Sequence, residues 1–236
     1  GTTDEQKLTT NTDYIWKYMG ISKEGDLLIV PDMVETSNTV KLYSAKGYLN
    51  GPTALNNVCE KLYSVSEKGI ARSIDIDDVT RLLEYTGPKG GYFSKLSSES
   101  IKLNELLTIK DIINQRGEPA LSNTTTPDGK DINTYKLNYY EIYKTSNSIT
   151  VDKMKQELVY QTNAYWLSST CTFAEFRGSL AYFYVRYVMP DKVYALLVFG
   201  SNSGKNSGTY AVRPVVTLNS NVKLTPNADK TEWAIS

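Results

Sequence analysis

The sequence predicts an α+β fold on three observations. Helical periodicity appears in three stretches of the first half, around 53–64, 76–86 and 109–116. From residue 165 onward the apolar residues alternate or run in blocks of strand length. Helices followed by a cluster of strands, without βαβ alternation, indicate α+β rather than α/β. At 236 residues with 40% apolar composition, and with no repeat or linker, residues 1–236 read as one domain.

Residues 14–30 read as two strands around a Gly25 turn, the second ended by Pro31. Leu55, Val58, Cys59 and Leu62 recur at helical spacing, and Pro52 marks the expected start of a helix over 53–64. Ile76, Val79, Leu82 and Leu83 form the stripe of a second helix, 76–86, capped by Asp75 or Asp77 and stopped by Gly87-Pro88. Thr108 and Asp111 cap a third over 109–116, which Gly117 ends. Residues 118–134 carry turn formers and read as loop, and 135–144 reads as a Tyr-dense strand. Residues 151–161 fit either a helix or, at Leu158-Val159-Tyr160, a strand.

Four strands follow, at 165–169, 181–188, 193–199 and 210–218. In 181–188, Phe183 and Val185 take one face, and Tyr182, Tyr184 and Arg186 the other. Pro214 donates no ladder bond and suggests an edge or a bulge. Trp166, Leu167, Val185, Val212 and Val216 are expected to be buried scaffold residues.

Composition excludes much chemistry. The 26 basic and 26 acidic residues balance and are scattered, so the basic footprint of a nucleic-acid binder is missing. No histidine is present, which removes Ser-His-Asp and Cys-His catalysis and His-based metal sites. Two cysteines cannot build a Cys₄ zinc site; Cys59 and Cys171 are either one disulfide or two buried thiols, and a buried thiol suits the apolar helix face of Cys59. No acidic loop has calcium spacing, so neither metal nor cofactor is expected. Asp77-Asp78 sits where a helix dipole favours acids, and no catalytic residue is assigned. No run reaches the roughly 18 apolar residues of a membrane helix. Gly1, without an initiator methionine, reads as the start of a processed or tagged fragment, so any membrane attachment would run through a missing segment.

What remains is binding. Tyrosines number 18, and several crowd into 181–194. Aromatics favour strands for packing alone, but Tyr182 and Tyr184 share the face opposite Phe183 and give rigid contact area with a hydrogen-bonding tip. Tyr187 and Tyr194, near strand ends, are expected on the same exposed side. Phe173, Leu180, Leu196, Asn202 and Asn206 complete the candidate set. The Ser/Gly/Asn run 201–209 reads as a hairpin loop able to add adaptable hydrogen bonds.

Tyr165-Trp166-Leu167-Ser168-Ser169, followed by Tyr210-Ala211-Val212-Arg213-Pro214-Val215-Val216, resembles the C-terminal part of variable proteins of bacterial diversity-generating retroelements. Upstream, Ile15-Trp16-Lys17-Tyr18-Met19-Gly20-Ile21, Ala45-Lys46-Gly47-Tyr48, Leu55-Asn56-Asn57-Val58-Cys59 and Leu83-Glu84-Tyr85-Thr86-Gly87-Pro88-Lys89-Gly90 resemble surface, prepilin-like members from gut bacteria. The resemblance implies a C-type-lectin fold of the formylglycine-generating-enzyme type, with two or three helices in the N-terminal half and a β-rich C-terminal half. It implies a diversified region at about 172–209, surface or extracellular display, and a protein, cell-surface or phage ligand. In that family, adenine replacement in Asn codons yields Tyr, Ser, Gly, Asp, Phe or Leu; Glu175, Met189, Lys192 and Lys205 cannot arise that way. The calcium motifs of sugar-binding lectins are missing. The related enzymes use a pair of active-site cysteines, whereas Cys171 alone lies in this half of the chain, so the enzyme reading loses its chemistry. A fixed-specificity carbohydrate-binding module or an enzyme on the same fold is the alternative.

Overall fold

A computed structural model describes residues 14–94, 98–122, 125–200, 204–228 and 233–235. In chain order the elements begin with β1 (Trp16–Ile21), β2 (Leu27–Pro31), β3 (Thr39–Tyr43), α1 (Ser44–Tyr63), β4 (Gly69–Ser73) and α2 (Ile76–Leu82). Then come β5 (Gly90–Phe93), β6 (Ser100–Leu103), α3 (Ile109–Arg116), a 3₁₀ turn (Ile132–Thr134), β7 (Ile142–Tyr143) and α4 (Lys153–Val159). The last part is β8 (Tyr165–Glu175), β9 (Leu180–Val188), β10 (Lys192–Gly200), β11 (Gly204–Lys205), β12 (Ser207–Ala211), β13 (Pro214–Leu218), β14 (Leu224–Pro226) and β15 (Trp233–Ile235). One sheet has the order β1-β2-β13-β4. The larger runs β11-β10-β9-β8-β12-β3, with β5 bridging β8 and β6, and β7 on β10. The architecture is mixed and mostly sheet, as an α+β reading requires.

Local signals held where they were complete. Thr108 and Asp111 form a reciprocal capping box, and Gly117 closes α3 at φ 66°. Gly25 turns β1 into β2 at φ 96°. The ambiguous 151–161 stretch is the helix α4, capped by Asp152.

Elsewhere the structure corrects the sequence. The first helix starts at Ser44, not after Pro52, and carries Pro52 inside it. Its first turns hide their packing because the buried residues are small: a Cβ on Gly51 would lie 3.1 Å from Leu42 Cδ1. The second helix takes Asp75 as its cap but ends at Leu82, where Glu84 at φ 46° turns the chain well before Gly87. Residues 118–134 include the 3₁₀ turn. The strand expected at 165–169 runs on to Glu175, and that at 210–218 is two strands in different sheets. Pro214 opens β13, an interior strand, from the first position, where no ladder bond is broken. Strands β3 to β6 place much sheet in the N-terminal half, so helices do not simply precede strands.

The 135–144 segment contributes only β7 as strand. Its backbone bonds go in turn to Leu107, Thr172 and β10, so it bridges elements instead of extending one ladder. A buried arginine holds it: Arg186 on β9 donates to the carbonyls of Asn138 and Tyr140. Arg213 plays the matching part elsewhere, donating to the carbonyls of Leu158 and Pro31. Trp166, Leu167, Val185, Val212 and Val216 are all buried, as expected. Helix α1 packs Leu55 and Cys59 against Val185, Val212 and Val216, fixing which face of β9 looks inward.

Candidate functional site

The candidate surface is built on β8, β9 and β10, three adjacent antiparallel strands. Phe173 lies opposite Tyr182, Cys171 opposite Tyr184, and Tyr184 opposite Leu197. Strand parity sends Phe183 and Val185 into the core, both wholly buried, and Tyr182 and Tyr184 to the other face, both partly exposed. Arg186 follows the same parity but is 1% exposed, because the 138–142 segment covers it.

The outer aromatics touch one another. Phe173 sits 6.4 Å from Tyr182, and Tyr182 sits 6.5 Å from Tyr184, centroid to centroid. Two residues missed in the sequence join them. Phe93, on β5, meets Phe173 edge-on at 5.3 Å. Tyr139, from the bridging segment, lies 5.5 Å from Phe173 and 5.0 Å from Tyr184. The Tyr density of 135–143 was the one available signal for Tyr139; for Phe93 there was none. Leu180 closes the row beside Glu175, whose carboxylate accepts the Tyr182 hydroxyl at 3.3 Å.

A polar clasp borders this patch at the edge of β10. The Glu141 carboxylate accepts from the Tyr139 hydroxyl at 2.7 Å and from Tyr143 at 2.6 Å. Lys192 stands 3.7 Å from the same carboxylate and 3.8 Å from the centre of the Tyr194 ring. Burial, then the bond to Glu141, raises the Tyr139 phenol above its ordinary range. Burial raises Tyr184 as well. These hydroxyls therefore stay protonated donors at neutral pH.

The expected set divides between two faces. Phe173, Leu180, Tyr182 and Tyr184 lie together on the outer face. Tyr187 does not share their exposed side: it follows the parity of Phe183, is 6% exposed, and stacks on Tyr210 at 4.5 Å under Trp166. Leu196 lies opposite Val185 and faces Gly208 on β12, again the inner face. Tyr194 lies opposite Tyr187 but is half-exposed at the strand edge beside the Glu141 clasp. Asn206 is exposed, its N–H donating to the Val198 carbonyl at 3.2 Å along the far edge of β10. Asn202 lies outside the described residues.

Comparison with family models, curated proteins and solved structures finds no match. The chemistry of the surface must therefore be read from its own groups. Both cysteines are free and buried, and burial pushes the Cys171 thiol up to about 11 and Cys59 up to about 12. Burial thus favours the protonated thiol over the thiolate at neutral pH. Among the described residues no cluster of three or more Cys, Asp or Glu is placed as metal ligands would be. Flat rings, anchored hydroxyls and two carboxylates can make contacts and hydrogen bonds with a partner.

Proposed function

We propose that this chain is a non-enzymatic ligand-binding protein, receptor- or adhesin-like, that uses the outer face of β8–β10 to engage a protein, cell-surface or phage ligand. The scaffold is a C-type-lectin-like domain. The protein is a variable protein of a diversity-generating retroelement, displayed at the cell surface or outside the cell. The observation that carries this reading is the partition of side chains along β9. Alternate residues fill the core, while the others place partly exposed tyrosines side by side on a rigid sheet. Rigid aromatic anchors with polar tips are what adaptable binding surfaces employ. Residues of the outer row can be exchanged without touching the core beneath, which a diversified receptor requires.

Phe173, Leu180, Tyr182 and Tyr184 form the contact row in this reading, with Tyr194 and Asn206 at its margins. Tyr187 and Leu196 support it from the inner face. Sequencing this gene across many isolates tests the reading. Substitutions concentrated at adenine positions of the outer-row codons, with Phe183 and Val185 unchanged, and a nearby template repeat and reverse-transcriptase gene, are expected. Substitutions spread evenly over both faces, or no such neighbouring genes, would contradict it.

A further inference from the structure

A concavity lies away from the outer aromatic row, on the other side of the bridging segment. It is a cleft of about 640 Å³ between α2, the β1–β2 turn, and Asn138 and Tyr140. That is the size of a small-molecule pocket. The bridging segment separates the two regions by alternation: Tyr139 joins the outer row, while its neighbours line the cleft.

The charges of the cleft do not balance. Arg72 and Arg81 are matched by Asp75 and Asp78, with Arg72 bonded to both oxygens of Asp78 at 2.5 and 2.8 Å. Lys23 and Lys89 on the lining are offset in number by Glu24 and Asp77. Arg186 is left over. Its guanidinium is buried, makes no ion pair among the described residues, and is held by two carbonyls and the Tyr140 ring at 4.3 Å. Its Nε donor has no hydrogen-bond partner among the described residues. An uncompensated buried cation is expensive and favours an anion beside it. Arg213 shares the carbonyl-and-ring arrangement and an Nε without a partner among the described residues, so what sets Arg186 apart is that it lines an open cleft.

We propose that this cleft is a second binding site, for a small monocarboxylate with a flat apolar tail. The carboxylate lies toward Arg186, and the tail lies along Tyr85, Tyr140 and Ile76. Tyr85 and Tyr140 already stack at 5.8 Å with ring planes 3° apart, so their wall suits a planar group. One excess positive charge calls for one negative charge. A dianion such as phosphate would meet the four acidic side chains of the lining. The terminal nitrogens of Arg186 already donate to the Tyr140 and Asn138 carbonyls, so the donor left for a carboxylate oxygen is Nε–H.

The test uses matched probes, phenylacetate and phenylacetamide, with inorganic phosphate as a third, followed by methyl NMR on the native chain. Phenylacetate should shift the Ile76 methyl signals saturably and leave Ile70, exposed on β4, unmoved. Phenylacetamide should bind about tenfold more weakly or worse, as loss of a charge-assisted contact implies, and phosphate should also bind more weakly. Arg186→Gln should abolish the Ile76 shifts. No saturable shift at millimolar phenylacetate, equal binding of the amide, or tighter binding of phosphate would each overturn the proposal. The probe comparison needs only the native protein, so it decides even if Arg186→Gln does not fold.

Discussion

Phe183 and Val185 on one face of β9, and Tyr182 and Tyr184 on the other, are separated by a single peptide unit yet meet different surroundings. The inner pair is sealed by α1 and by rings from several elements: Phe183 touches Tyr48, Tyr135 and Phe199 at 5.2, 5.1 and 5.9 Å. The outer pair touches mostly other aromatics of the outer row, and the Tyr182 hydroxyl donates to the Glu175 carboxylate. Change on one face is a packing problem, and change on the other is a recognition problem. That difference lets one strand serve both stability and variable binding.

Truncating the inner face should have the largest effect. Phe183→Ala removes a wholly buried ring and should destabilise the fold by about 3–5 kcal/mol in denaturant unfolding. A loss below about 1 kcal/mol would mean the inner face is not the core. Next is the contact that seats the bridging segment. A Cβ on Gly90 would fall 1.9 Å from the Leu137 carbonyl oxygen, so Gly90→Ala must move backbone and should cost about 1–3 kcal/mol or more. Because Tyr139 rides on that segment, the same variant should also weaken ligand binding, measured against the native chain.

The outer face should respond least. Tyr182→Ser should change stability by about 1 kcal/mol or less, read by the same unfolding curves, while altering ligand binding. The cysteines give a control with no packing change at all. Both thiols are raised by burial, so at pH 8 they are protonated as well as covered. Native protein should not react with a thiol reagent at pH 8, and both should react once the chain is unfolded. Rapid native labelling of Cys171 would mean that the surface around Tyr184 opens.

Parts of this division were legible in the sequence because they are local. Alternation over 181–188 set the faces of Phe183, Val185, Tyr182 and Tyr184 correctly, and the cap residues of α3 needed no partner beyond the next turn. Tyr187 departs from its expected exposure because strand parity, not its place near the strand end, sets its face. What buries it, Trp166 and Tyr210, comes from distant strands. Phe93 and Tyr139 reach the patch through pairing of β5 with β8 and through the grip of Arg186, both non-local. Glycine-rich β5 and the small-residue start of α1 carry little apolar signal, since close approach rather than bulk makes them fit.

The most direct measurement compares two libraries in the same strands. One varies Phe173, Leu180, Tyr182 and Tyr184 together; the other varies Phe183, Val185 and Tyr187. Each is displayed, sorted for folding by melting temperature, and then selected against the native partner and against new ligands. The outer library should keep most members folded within a few degrees of the native melting temperature and yield clones with changed ligand choice, while most of the inner library unfolds. Outer-library members that fold yet bind the native partner unchanged, or that unfold as often as inner ones, would contradict the assignment of the outer face of β8–β10 as the recognition surface.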